Sequence, residues 1–314
     1  MIFRTELSLP TSPDKINHHH IIALLGSCFS QNIGVRLQKY KFNCFINPFG
    51  TIFHPQAIAS MMHYAISGKT PDIRSLKLSQ DIYVHSDFHS SLGCSDAGRA
   101  LQNIENAIHT LQQLLFSLDY VFITLGTADG YIEHETGNIV ANCHKLPASL
   151  YAKVSPEVEI MADALLQSCN QWLQSNPNIK FVFTVSPVRH IKDGIVENAL
   201  SKAKLRLTID KIMQSLPNTT YFPAYEWMID DLRDYRYYEK DLIHPNDQAI
   251  DYIWEKFSAH YFDDDTKSIL QKIHKINQAK EHKPFNPDTK AHQQFLDKID
   301  QDIQALKDEH PWIK

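Results

Sequence analysis

No Lys/Arg block, no C-x-x-C pair and no apolar run of membrane-spanning length occurs in the 314 residues. With 31 Lys and Arg against 36 Asp and Glu, the formal net charge is −5. The basic field that a general nucleic-acid binder needs is therefore absent. The five cysteines, Cys28, Cys44, Cys94, Cys143 and Cys169, are odd in number and scattered. That pattern argues against a disulfide framework or a zinc ribbon, and for free thiols in a reducing compartment. Residues 1–6 lack the basic-then-apolar order of a secretory signal, and a membrane helix would need about 20 apolar residues in succession. A cytoplasmic chain with neither a nucleic-acid nor a membrane partner is expected. His18-His19-His20 is too short and too internal for a purification tag, and reads as a polar lead-in to a strand rather than a metal site.

What is present is the pattern of a globular α/β protein. A hydrophobic fraction of 43% supports a real core, and the length suits one large domain or a domain with an appendage. Short apolar runs predict strands over residues 21–25, 42–46, 120–124, 181–185 and 220–222. Helical spacing predicts helices over 31–40, 55–66, 101–115, 155–174, 196–216 and 246–257, the fourth capped by Ser155 with Pro156 in its first turn. Such alternation implies a parallel sheet whose ligands bind beyond the carboxyl ends of the strands. Residues 69–97 read as an irregular polar-aromatic insert. Within it His85, Asp87 and His89 alternate as strand-borne metal ligands would, although loop hydrogen bonding accounts for them more simply. The main domain is expected over 1–262 and a helical C-terminal extension over 263–314. That extension passes through Lys283-Pro284-Phe285-Asn286-Pro287, then carries Phe295, Leu296, Ile299, Ile303 and Leu306 at helical spacing. Its apolar stripe needs either the domain or a second subunit, which would make the chain a homo-oligomer through its C-terminal helices.

Two segments carry chemistry. Leu24-Leu25-Gly26-Ser27-Cys28-Phe29-Ser30 brings a buried strand through glycine to a serine at a helix start. First-turn N–H groups there have no helical partner and favour an anion. Ser27 is a candidate nucleophile, or no more than the N-cap of the helix. Cys28 is its rival, because a helix N-terminus lowers a thiol pKa; neighbouring side chains diverge, so only one of the two can face a given base. Asp241 precedes His244 by three residues, a spacing at which one turn lets the carboxylate orient the imidazole as a base.

This arrangement resembles the SGNH/GDSL hydrolases. More narrowly, Gly26-Ser27-Cys28-Phe29-Ser30 is similar to the signature of the GSCFA-domain family, which normally ends in Ala. Asn47-Pro48-Phe49-Gly50-Thr51, Thr124-Leu125-Gly126-Thr127-Ala128 and Ser186-Pro187-Val188-Arg189-His190 resemble further blocks of that family, and together they cover most of residues 20–255. The resemblance implies a three-layer, flavodoxin-like parallel sheet and a Ser27-His244-Asp241 triad without cofactor or metal. It also implies the Ser27 and Gly50 backbone N–H groups as oxyanion donors. Where SGNH enzymes carry Gly-x-Asn-Asp, this chain reads Gly126-Thr127-Ala128-Asp129. A third donor is therefore sought in Asn142, Thr127 or His144, with Asn142 preferred for its amide N–H₂ and a turn-holding role as its alternative. Arg189 and His190 are candidates for holding an anionic or sugar group, or Arg189 for a structural ion pair. The implied activity is that of an esterase on a small-molecule or carbohydrate acyl ester, or of an O-acyltransferase using the same triad. A catalytically silent ligand-binding module and a scaffold acting through the tail are the alternatives.

Overall fold

Five apolar segments, Ile21–Gly26 (β1), Asn43–Ile46 (β2), Tyr120–Leu125 (β3), Lys180–Val185 (β4) and Thr219–Tyr221 (β5), pair in parallel in the order β2-β1-β3-β4-β5. The computed structural model describes residues 5–217, 219–282, 285, 286 and 288–313. The sequence readings at residues 1–4 and at Lys283, Pro284 and Pro287 lie outside those described.

Side chains alternate across the strands and so divide the core into two layers. Ala23, Leu25, Val121, Ile123, Phe181 and Phe183 face the helices Pro55–Ser67 (α2), Ala97–Leu115 (α3), Val158–Ser175 (α4) and Ile195–Ser215 (α5). Ile22, Leu24, Tyr120, Phe122 and Val182 face Cys28–Lys39 (α1) and Asp247–Tyr261 (α6). The chain is thus a three-layer α/β fold with a doubly wound parallel sheet. Its strand order is that of flavodoxin-like sheets, and winding reverses between β1 and β3.

Local details depart from the sequence expectations for identifiable reasons. Helix α1 starts at Cys28, three residues earlier than predicted, because Ser27 caps it: Ser27 Oγ accepts the Phe29 N–H at 3.3 Å. Helix α4 starts at Val158 without a Ser155 cap, since the Ser155 hydroxyl accepts a hydrogen bond from Lys204 Nζ at 3.0 Å. The insert is not wholly irregular. Lys77–Ser79 and Ile82–Val84 form a hairpin whose turn residues Gln80 and Asp81 both have positive φ, a turn usually advertised by Asn-Gly. A second hairpin pairs Gly130–Glu133 with Tyr151–Val154.

The tail forms Asp264–Glu281 (α7) and Lys290–Glu309 (α8). Ile273, Leu306 and Ile313 build a small core with Ile269, Ile276 and Trp312 of the tail and Tyr40 of the main domain, so part of the tail's apolar stripe is covered within the chain, chiefly by the tail itself. His18 lies between Phe42 and Trp312, with ring centroids 4.1 and 4.6 Å away, and pairs with the Tyr40 carbonyl at 3.0 Å. All five cysteines are free thiols. Among the described residues no helix is long and apolar enough to cross a membrane.

Candidate active site

Ser27 sits beyond the end of β1, where only glycine can precede it. Gly26 has φ +123°, and a Cβ there would lie 2.2 Å from the Thr124 carbonyl oxygen. The peptide is held on both sides: Gly26 N–H donates to Asn47 Oδ1 at 2.9 Å, and its carbonyl accepts Ile52 N–H at 3.0 Å. One turn on, the Ser30 hydroxyl is hydrogen-bonded with Leu25 O at 3.0 Å and with the Thr124 hydroxyl at 2.7 Å, fixing α1 to the sheet. Ser27 is only 1% exposed. Cys28 beside it has its thiol pKa raised by burial, the opposite of the activation expected for a rival nucleophile.

Asp241 and His244 form the pair the spacing predicts. Asp241 Oδ2 meets His244 Nδ1 at 2.7 Å, while Oδ1 accepts the N–H groups of Ile243 and His244 at 2.9 and 3.0 Å. The bond to His244 and those N–H groups hold the Asp241 pKa down at about 2. Their loop is tied to the end of β4 by Arg189 N–H donating to Ile243 O at 3.2 Å. No hydrogen bond among the described residues joins Ser27 to His244, and no partner is found there for His244 Nε2.

The expected oxyanion donors need revision. Ser27 N–H is spent on Thr124 O at 3.1 Å, as a rung of the β1–β3 ladder, and Gly50 N–H on Asn47 O at 2.7 Å in the turn after β2. His144, at φ +50°, uses both ring nitrogens, Nδ1 with Ser90 Oγ at 2.9 Å and Nε2 with His85 O at 2.8 Å. Asn142 Oδ1 accepts His144 N–H at 2.7 Å, the turn-holding role. Thr127 Oγ1 pairs with Ser201 Oγ at 3.2 Å and accepts Asp129 N–H at 3.1 Å. A different amide stands nearer the serine. Asn47 accepts from Gly26 N–H, so its oxygen must face that donor, and its buried Nδ2 has no partner.

Beyond the ends of β3 and β4 lies a cavity of about 570 Å³, walled by Phe53, Thr127, Asn142, Arg189, His190 and Ile243 among others. Ser27, Gly50, His144, Asp241 and His244 do not line it. Among the described residues Arg189 takes no carboxylate, contrary to a structural ion pair; its guanidinium lies 4.1 Å from the Tyr238 ring centre and 4.9 Å from that of Tyr235. Burial, then the nearby Lys202 and His244, bring the His190 pKa down to about 4, and His190 Nε2 is buried without a partner.

The sequence model of the GSCFA family matches residues 21–257. The chain belongs to the GSCFA family. Residues 273–314 match a second model, that of the GSCFA domain protein C-terminal domain, and cover the second half of α7 and all of α8. A comparison with curated proteins finds no match.

The GSCFA fold also contains a group that motif reading overlooked. Lys202 on α5 is buried, and its Nζ donates to Gly126 O at 2.7 Å and Ser186 O at 2.8 Å, clamping the segments that leave β3 and β4. Burial pulls its pKa down to about 7. The signal was in the sequence: Lys202 shares one helix face with Leu205, Ile209 and Ile212, all buried, a cation in an apolar stripe. His85, Asp87 and His89 resolve into loop contacts. His85 Nδ1 accepts Asp87 N–H at 3.1 Å, Asp87 accepts from Tyr64 at 2.8 Å, and His89 caps a turn through Ser91 N–H at 3.2 Å.

Proposed function

We propose that this GSCFA chain is an SGNH-type serine esterase, or an O-acyltransferase working through the same groups, acting on an acylated small molecule or carbohydrate. The observation that carries the reading is the Asp241–His244 pair at 2.7 Å, which leaves His244 Nε2 open in a loop tied to the β4 end, on the carboxyl side of the sheet that also carries Ser27. In this scheme Ser27 Oγ attacks the acyl carbon and gives its proton to His244 Nε2. Asp241 holds the imidazole in the tautomer that accepts it and stabilises the imidazolium. The tetrahedral oxyanion takes hydrogen bonds from the first-turn Cys28 N–H, an orphan by its position in α1, and from Asn47 Nδ2. The neutral His190 and the Arg189 guanidinium line the cavity for the alcohol portion.

A second reading, a binding module without turnover, is favoured by one observation. Ser27 is sealed, and its Oγ accepts from Phe29 N–H rather than donating to a base. Catalytic hydrogen bonds often tighten only once substrate is bound, so the esterase reading requires the Ser27 turn to open. A fluorophosphonate probe separates the two. Labelling at Ser27 that disappears in Ser27→Ala, and slows about 10²-fold in Asn47→Asp, which keeps the acceptor for Gly26 but loses the donor, supports the esterase. A folded wild-type protein that takes no label while binding acylated glycans supports the module.

A further inference from the structure

Helix α5 is apolar on two faces. Its inner face is buried against the sheet, and its outer face exposes Val196 (77%), Leu200 (59%) and Leu207 (56%) with the exposed Ala203 between them. The spacing 196, 200, 203, 207 is four-three-four, the stripe of a two-helix seam, with a small residue near its centre that permits close approach. Ile160 on α4 is 51% exposed. It extends the patch toward Leu207, because the salt bridge of Lys211 with Glu159 at 2.8 Å sets that stretch of α4 beside this part of α5.

We propose that this stripe pairs with the same stripe of a second copy, the two α5 helices running antiparallel about a two-fold axis. In that register Val196 packs on Leu207 of the second copy and Leu200 on its Ala203, so the contact is isologous and closes. Charge selects this occupant. Glu197 and Lys204 lie on the same flank of the seam, and neither has an oppositely charged partner in its own chain among the described residues; Lys204 bonds only to Ser155 and the Pro156 carbonyl. In an antiparallel pair each flank faces its own equivalent, which sets Glu197 against Lys204 of the second copy twice over. A parallel pairing, or a partner without that charge pattern, leaves both unmatched. The contact lies on a different surface from the helical tail; only Glu197, at the start of the seam, also lines the cavity beside Arg189 and His190.

The test is sedimentation equilibrium of the full chain with its charge and seam variants. The wild type is expected to dimerise at concentrations on the order of 100 μM or below. Leu200→Glu should weaken the dimer by about 10²-fold or more while leaving the melting temperature of the monomer unchanged, since the side chain is already exposed. Glu197→Lys and Lys204→Glu should each weaken it about tenfold, and the double reversal should restore it. A wild type that stays monomeric overturns the proposal and assigns the stripe to another partner. A dimer unaffected by Leu200→Glu overturns it too, as does a double reversal no stronger than the single variants.

Discussion

Acid should destabilise this fold through His54, whose environment permits only the neutral ring. His54 caps α2: its Nδ1 accepts Gln56 N–H at 3.2 Å, so the proton sits on Nε2, which donates to Ala128 O at 3.1 Å. A second proton would have to go onto Nδ1, removing the cap acceptor and placing a charge in a site that is 4% exposed. Burial accordingly pulls the pKa from 6.5 down to about 4. The unfolded chain takes up the proton below pH 6.5 and the folded chain only near pH 4, so this contribution is complete above 6.5, falls as the pH drops, and is exhausted below 4. At 1.36 kcal/mol per pKa unit the loss is about 2 kcal/mol by pH 5 and about 3.4 kcal/mol below pH 4. Urea titrations of wild type and His54→Asn at several pH values between 4 and 8 isolate it. Asn keeps an N-cap acceptor and does not titrate, so the variant should lose about 1 kcal/mol at pH 8 through the Ala128 bond and show a correspondingly shallower decline toward acid. Parallel curves for the two proteins would refute the assignment. Because His54 holds the Ala128 end of the segment leading to Asp129 and Gly130 at the cavity wall, acid should loosen the cavity before global unfolding.

Lys202→Met should remove the rise in stability that Lys202 gives the wild type between pH 7 and 9, about 2 kcal/mol, because the buried amine sheds its proton near pH 7 while the unfolded amine keeps it to about 10.5. It should also leave the Gly126 and Ser186 carbonyls without a donor, costing about 2 kcal/mol at pH 9; chemical denaturation at the two pH values checks both, and an unchanged slope would contradict the burial argument. Trp312→Ala should uncover His18, whose pKa burial holds down at about 4, and move its NMR titration midpoint up toward 6.5 while probe labelling of Ser27 stays at the wild-type rate. A midpoint that does not move would mean that Trp312 does not seal His18.

Much of this architecture was legible from local pattern. Apolar runs bounded by Asn-Pro, Gly or polar residues marked the sheet strands to within one or two residues, most plainly in the central strands β1, β3 and β4, which are buried on both faces and have little freedom to be polar. The Asp241–His244 pair was legible too, since three residues of turn are enough to bring a carboxylate to an imidazole. The hairpin at Gln80-Asp81 escaped notice because its positive φ angles come without glycine, and the Ser155 cap failed because a lysine from another helix took the hydroxyl.

The sequence by itself determined the alternation of strands and helices, the glycine turn before Ser27 and the family, each a matter of neighbours along the chain. Only the tertiary structure decided which polar groups remain available. The N–H of Ser27 is consumed by a strand almost 100 residues away, His144 by a loop carbonyl and a serine from another turn, and Lys202 by the ends of two separate strands. Hydrogen-bonding capacity is set by whatever else packs within about 3 Å, and that is a property of the fold rather than of any motif.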